Sequence, residues 1–338
     1  LYASSLGSRA IYFIDDGVHG REPWITDGAS VALVTDVNPG PLDATSLESF
    51  TWRGEVWFSG FEPGTGEELW ATDGTAEGTR LVGDLDPNDI GGIPRFLGVL
   101  GDELFFSADA SGLGRELWAT DGTSAGTRLV RDINPGAGFS TPESWVVRDG
   151  LAYFNAFNAE FGGELWVTDG TTAGTQLAAD IYPGLFSSSF FPGLVLFDDQ
   201  IWIGATDGSN GGIELFASDG TQSGTVLVHD FVPGGGGAPG NFTVVGDFLL
   251  MTANTPAGGR QLFSLAAGAT VPTQLTAFSN LPVGFGGGPP LRTAGGFAYL
   301  LIDEPGIDDE ALLEIVPGPD FPTGGLILGY AGSRKALL

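Results

Sequence analysis

The chain of 338 residues has no cysteine, one lysine (Lys335), one methionine and two histidines (His19 and His229). Each scarcity removes a class of function. Without thiols there is no disulfide, no cysteine-built metal site and no thiol redox chemistry. Two histidines in unrelated sequence settings argue against a His-rich metal site or a repeated acid–base dyad. Thirteen Lys and Arg stand against 42 Asp and Glu, a formal net charge of −29. Nucleic acid and anionic membranes need a basic surface to displace counterions, so neither is an expected partner. The apolar run 324–332 falls well short of the ~20 residues of a spanning helix, so no membrane span is expected. No signal peptide opens the chain at Leu1, and any such segment is expected to have been removed or to lie outside this sequence.

What is abundant is apolar and turn-forming. Hydrophobic residues make up 42% of the chain and charged residues 16%, enough to bury a core. The 56 glycines and 21 prolines would mark low complexity unless they fell at regular turns. They do fall regularly. Glu68-Leu69-Trp70-Ala71-Thr72-Asp73-Gly74-Thr75 recurs at Glu116–Thr123, at Glu164–Thr171 and, with Phe for Trp and Ser for Thr, at Glu214–Thr221. Each copy is followed by Gly-Thr, at 78–79, 126–127, 174–175 and 224–225. A shortened copy stands at Glu22–Gly28, and eroded ones at Gln261–Ser264 and Ala311–Glu314.

Seven copies of about 48 residues give room for four short strands and four turns each. Within one unit, Ser144–Arg148 reads as a strand turning at Asp149-Gly150 into Leu151–Phe157, followed by strands at Glu164–Thr168 and Thr175–Ile181. The second strand of each unit, such as Val56-Trp57-Phe58 or Leu104-Phe105-Phe106, is apolar on both faces. A sheet with one face in water alternates; a sheet stacked between two others does not. The expected fold is therefore all-β, a seven-bladed β-propeller of about 48-residue, four-stranded repeats over residues 1–316. Residues 317–338 form a tail in which Leu326-Ile327-Leu328 supplies the outer strand of the seventh blade, the alternative being a degenerate sorting tail.

These residues resemble the bacterial ELWxxDGT-repeat family, whose motif continues as Leu-Val-x-Asp-Ile-x-Pro-Gly. That continuation is present at Leu129–Gly136, with versions at Asp36–Gly40, Asp84–Pro87, Asp180–Gly184 and Asp230–Gly234. The match covers roughly residues 10–235. It implies a large secreted or cell-surface protein of β-propeller type, and hence an extracellular or cell-surface location, more than it implies an activity.

The Thr-Asp-Gly-Thr-x-x-Gly-Thr turn is also similar to the Asp-box hairpin of sialidase propellers. Its residues read better as a self-sufficient turn, because Asp and Thr can hydrogen-bond the turn's own backbone and Gly accepts positive φ. By the same repetition, Trp24, Trp70, Trp118 and Trp166 read as core anchors between blades. Arg21, Arg115 and Arg260, which a sialidase-like site would need to converge, precede the same strand in different units and read as rim residues paired with local acids. Asp36, Asp84, Asp132, Asp180 and Asp230 are expected where the outer strand crosses to the next blade. The loops of Asp15, Asp16 and Asp109 are expected on that same rim. Such oxygens could converge on Ca²⁺, although no complete calcium-loop spacing is present; capping of turns is the favoured role. No other cofactor is expected.

The sequence designates no catalytic residue. It favours a non-catalytic extracellular binding or scaffold module that recognises a cell-surface glycan or protein through rim loops. Pro41–Phe50, Leu185–Pro192 and Gly234–Phe242 are the most irregular of these loops. A carboxylate-based glycoside hydrolase or sialidase-like enzyme is the first alternative, and a structural repeat of a surface assembly the second.

Overall fold

The structure, a computed structural model, describes residues 3–86, 91–188, 193–209, 211–276, 291–294, 297–302, 311–317 and 326–333, with side chains up to residue 276 apart from 46 and 47. Among these residues there are strands and turns and no helix. By its internal contacts the chain divides into two compact units, residues 1–160 with 166–176, and residues 161–165 with 177–338.

The strands fall in groups of four. The first groups are β1 (Ala3–Leu6), β2 (Arg9–Asp15), β3 (Arg21–Thr26) and β4 (Val31–Leu33); β5 (Thr45–Trp52), β6 (Glu55–Glu62), β7 (Gly66–Thr72) and β8 (Arg80–Gly83); and β9 (Arg95–Leu100), β10 (Glu103–Ala110), β11 (Gly114–Thr120) and β12 (Arg128–Arg131). Then come β13 (Glu143–Arg148), β14 (Leu151–Asn158), β15 (Gly162–Thr168) and β16 (Gln176–Ala179); β17 (Leu194–Phe197), β18 (Gln200–Ala205), β19 (Glu214–Ser218) and β20 (Val226–His229); and β21 (Gly240–Val245), β22 (Phe248–Asn254), β23 (Arg260–Ala266) and β24 (Thr273–Gln274). The last are β25 (Leu291–Ala294), β26 (Phe297–Ile302), β27 (Ala311–Pro317) and β28 (Leu326–Ser333). Each group is one four-stranded sheet in the simple order of the chain, seven sheets among the described residues. The hairpin turn Asp149-Gly150 joins β13 to β14 with φ of 52° and 75°, the pair of positive values that matches the twist of the flanking strands.

The two-faced apolar strands are explained by what covers them. Val56 and Phe58 of β6 pack with Leu6, Ile11, Phe13 and Val37 of the first repeat. Trp57, between them and pointing the other way, packs with Leu104, Phe106 and Ala108 of β10. The second sheet is thus sandwiched. In the other unit Trp202, Leu215 and Phe231 meet Leu249, Met251 and Phe263 in the same manner. Trp70 is 8% exposed and joins the cluster between the first two sheets, in the anchoring place its repetition suggested.

The motif turn is held by its own side chains. Asp121 Oδ1 accepts the Thr123 N–H at 2.9 Å and its hydroxyl at 2.7 Å, Thr123 Oγ1 accepts the Gly126 N–H at 3.0 Å, and the Thr120 and Thr127 hydroxyls meet at 2.8 Å. The same set recurs at Asp73, Asp169 and Asp219. A Cβ on Gly126 would overlap the Asp121 carboxylate, which explains the second glycine of the motif. Gly126→Ala is expected to displace that carboxylate and cost about 1–3 kcal/mol, while Ala125→Gly in the same loop costs less than about 1 kcal/mol. Equal unfolding midpoints for the two variants in urea would show that the carboxylate does not hold the turn.

The eroded sixth unit substitutes neutral groups. Gln261 stands where other units have Glu, and its Oε1 accepts the Thr276 hydroxyl at 2.9 Å, while Thr276 Oγ1 accepts the Leu262 N–H. The last sheet is completed by β28, which pairs antiparallel with β27 from Ala311↔Ser333 to Pro317↔Leu326. No helix among the described residues is long and apolar enough to cross a membrane.

Candidate functional site

The glutamate that opens each motif is a buried carboxylate whose work the sequence did not reveal. Glu22, Glu68, Glu116, Glu164 and Glu214 are all 0% exposed. Each accepts backbone N–H groups from the segment that leaves its own sheet: Glu116 takes Ile133 N at 2.7 Å, Ser140 N at 3.2 Å and the Ser140 hydroxyl at 2.6 Å. Glu68 takes Leu85 N and Gly92 N, Glu164 takes Ile181 N and Ser188 N, and Glu214 takes Phe231 N and Gly237 N. Burial pushes Glu22, Glu68, Glu116 and Glu164 up to about 7, helped by Asp36, Asp84, Asp132 and Asp180 beside them and opposed by the N–H donors. Glu214 is raised for the same reasons. A charge inside an otherwise apolar strand, beside Leu and Trp, was the available signal.

The aspartates expected to cap the crossovers do less than expected. Among the described residues one carboxylate oxygen of Asp36, Asp132, Asp180 and Asp230 is buried and receives no hydrogen bond, and Asp132 caps its turn through a long contact from Gly136 N at 3.5 Å. The glutamates have taken the donors. Asp15 closes its own loop through Gly17 N, Asp16 accepts Val18 N, His19 N and the His19 ring, and Asp109 is paired with Arg115 at 2.5 Å. Asp16 is held down at about 2, chiefly by the His19 N–H. Among the described residues no three or more His, Cys, Asp or Glu side chains come together in a way that could hold a metal ion. Of the three arginines, Arg21 is paired with Asp43 at 2.9 Å and Arg115 with Asp109, and Arg260 is bound to the Thr252 carbonyl and hydroxyl.

A cavity of about 500 Å³ lies elsewhere, on the first strands of the first four repeats. Strands β1, β5, β9 and β13 are successive neighbours there. Its polar side is made by Ser4 and Ser49, whose hydroxyls are 2.7 Å apart, by the buried Ser107, and by Thr141 and Ser144. Phe50 and Phe96, with ring centroids 6.1 Å apart, supply the apolar side. Glu48, Arg95 and Glu143 bring charge. Behind Ser107 lies Arg115, which donates to the Ser107 carbonyl at 3.2 Å and to that of Ile93 at 2.9 Å; burial lowers its pKa, Asp109 and Glu48 oppose this, and Arg95 adds to it. Thr141 and Ser144 hold φ of 44° and 58°, which non-glycine residues seldom adopt, and Ile93, one repeat before Thr141, shares its value of 44°. The repeated strain serves the fold, since Ile93 N and Thr141 N both donate to carbonyls of the preceding hairpin.

Of the three irregular loops, Pro41–Phe50 reaches this cavity through Glu48, Ser49 and Phe50. Leu185–Pro192 falls partly outside the described residues. Gly234–Phe242 supplies Gly237 as a donor to Glu214.

No family model matches the chain. Curated relatives match only short stretches: the gyrase A protein of Granulibacter bethesdensis, a DNA gyrase component, is 58% identical over 36 residues, 11% of this chain and 4% of that protein. Its counterpart in Synechocystis sp. is 54% identical over 41 residues, 12% and 5%. The chain thus spans about a twentieth of the length of the curated relatives it matches. Solved structures are similar along nearly all of it. A puromycin hydrolase covers 98% of the chain at 14% identity and TM-score 0.51, and a puromycin-hydrolyzing peptidase of Mycobacterium tuberculosis covers 97% at 14% and 0.53. A prolyl endopeptidase covers 98% at 11% and 0.51. The chain spans about half the length of these solved chains (53%, 52% and 50%).

The fold is all-β and of the β-propeller kind. These neighbours also correct the expected role. A non-catalytic surface module binding glycan or protein through rim loops, with a glycan-cleaving enzyme or a structural repeat as alternatives, was the reading of the residues; the three solved chains named above are a puromycin hydrolase, a puromycin-hydrolyzing peptidase and a prolyl endopeptidase. The cavity itself sits on the first strands rather than on the loops alone.

Proposed function

We propose that this chain is a peptidase-type propeller of seven four-stranded blades, which receives a peptide in the cavity on β1, β5, β9 and β13. The observation that carries this reading is the fold shared over 97–98% of the chain with hydrolases and peptidases. The cavity supports it, since about 500 Å³ with an aromatic side, hydroxyls and both signs of charge suits amides and side chains together. Bond cleavage belongs to residues other than those described. His19 is held by Asp16, the His229 ring packs on Phe231 at 4.7 Å, and neither is hydrogen-bonded to a serine or threonine hydroxyl among the described residues. Seven blades are supported by seven sheets and seven motif positions. Kinship with the ELWxxDGT-repeat proteins and an extracellular setting are further proposals, supported by the motif copies and the acidic, lysine-poor composition.

The test is a defined mixture of tri- to hexapeptides followed by saturation-transfer NMR and mass spectrometry. Peptides are expected to contact the chain, to lose that contact in Phe96→Ala, and to stay uncut. The absence of any contact at millimolar peptide would overturn the reading, and cleavage by the chain alone would overturn the assignment of cleavage to other residues.

A further inference from the structure

Ten arginines have described side chains. Six of them are in ion pairs with Asp or Glu, and three are hydrogen-bonded to backbone carbonyls. Arg95 has neither kind of partner among the described residues, in a protein with a formal charge of −29 where carboxylates are plentiful. It lines the cavity and is exposed to it.

Its neighbours in the repeat are acids. Arg95 pairs across β10 with Ser107, and Glu143 pairs across β14 with Asn155, the same position 48 residues on. Glu48 precedes Ser49, which pairs with Phe58, as Arg95 precedes Phe96, which pairs with Phe106. Since β5, β9 and β13 are successive neighbours, acid, base and acid stand in a row along the cavity wall. Opposite charges on adjoining strands ordinarily pair with each other. Here Glu143 accepts the Asn155 amide at 3.2 Å instead, and no ion pair within 4.0 Å joins the three among the described residues.

We propose that this row is a subsite for a zwitterion, a short peptide with both termini free. Arg95 receives the carboxylate, Glu48 or Glu143 the ammonium, and Phe50 with Phe96 cover the side chain between them. The planar guanidinium offers two parallel N–H donors to a carboxylate, which gives direction as well as attraction. A simple anion would meet the field of the whole acidic chain, and a simple cation would meet Arg95; a ligand bearing both charges meets neither penalty. The inference rests on the peptidase-type reading and names its substrate class.

The probe is the tripeptide Ala-Phe-Ala, compared by calorimetry with its carboxy-amidated, amino-acetylated and doubly blocked forms. Amidation is expected to weaken binding to the unaltered chain by on the order of tenfold, and to change nothing further in Arg95→Gln. Acetylation is expected to weaken it by a similar factor, with a smaller effect in the double variant Glu48→Gln/Glu143→Gln. All three side chains are exposed, so unchanged melting temperatures would show that the variants are folded. If the doubly blocked peptide binds as well as the free one, or if Arg95→Gln still distinguishes amide from acid, the zwitterion subsite is wrong while peptide binding stands. If neither free nor blocked peptides bind the unaltered chain, the peptidase-type reading fails with it.

Discussion

Glu116→Ala is expected to remove about 3–5 kcal/mol of stability. The side chain is fully buried and accepts three donors, Ile133 N, Ser140 N and the Ser140 hydroxyl. Alanine leaves all three without an acceptor and opens a cavity where the carboxylate stood. Glu116→Gln retains one acceptor oxygen and nearly the same volume, so its cost is expected to stay at about 1–2 kcal/mol. Urea unfolding midpoints compare the two, and amide exchange at Ile133 and Ser140 localises the damage. An alanine variant within about 1 kcal/mol of the unaltered chain would mean that these hydrogen bonds do not hold the crossover.

Raising the pH from about 5 to 8 is expected to destabilise the fold steeply. Glu22, Glu68, Glu116 and Glu164 have an ordinary value of 4.5 and stand at about 7 in the fold, because burial penalises the charged form. Below 4.5 they are protonated in both states. Between about 4.5 and 7 the folded chain keeps protons that the unfolded chain has lost, so stability falls as pH rises, with a slope approaching four protons in that window. The turn aspartates work on the other side. Asp73, Asp121 and Asp169 are lowered, first by the hydroxyls of Thr75, Thr123 and Thr171, so their contribution is present above 3.8 and lost as pH falls further. The optimum is therefore expected near about pH 4–5. In a series of melts, Glu116→Gln should reduce the slope by about one proton. A melting temperature that rises between about pH 5 and 8 would refute the assignment.

Strands and turns were legible in the sequence because their causes are local. Asp149-Gly150 needed only positive φ, and the Asp121–Thr127 turn needed only hydroxyls and a carboxylate within seven residues of one another. The role of Glu116 was not legible, because its donors lie 17 and 24 residues away and a lone acid in a strand reads as a surface residue. The aspartates were misjudged for the same reason: Asp132 stands beside the donors, but Glu116 reaches them. The cavity was least visible of all. Glu48, Arg95 and Glu143 are brought into one row by register and by the packing of three hairpins, and their importance comes from differing where the repeats otherwise agree. The eroded unit shows how loosely motif and architecture are tied, since Gln261 and Thr276 keep a sheet in place after the acid is gone.

The way each glutamate grips its own outgoing segment bears on how such a chain could grow. Donors and acceptor belong to one stretch of about 25 residues, Glu116 to Ser140 being a case, so a copied unit arrives with its own fastening already matched. Duplication or loss of a whole unit leaves no widowed carboxylate behind, and lineages could lengthen or shorten the series of sheets by recombination while the fastening itself stays unaltered.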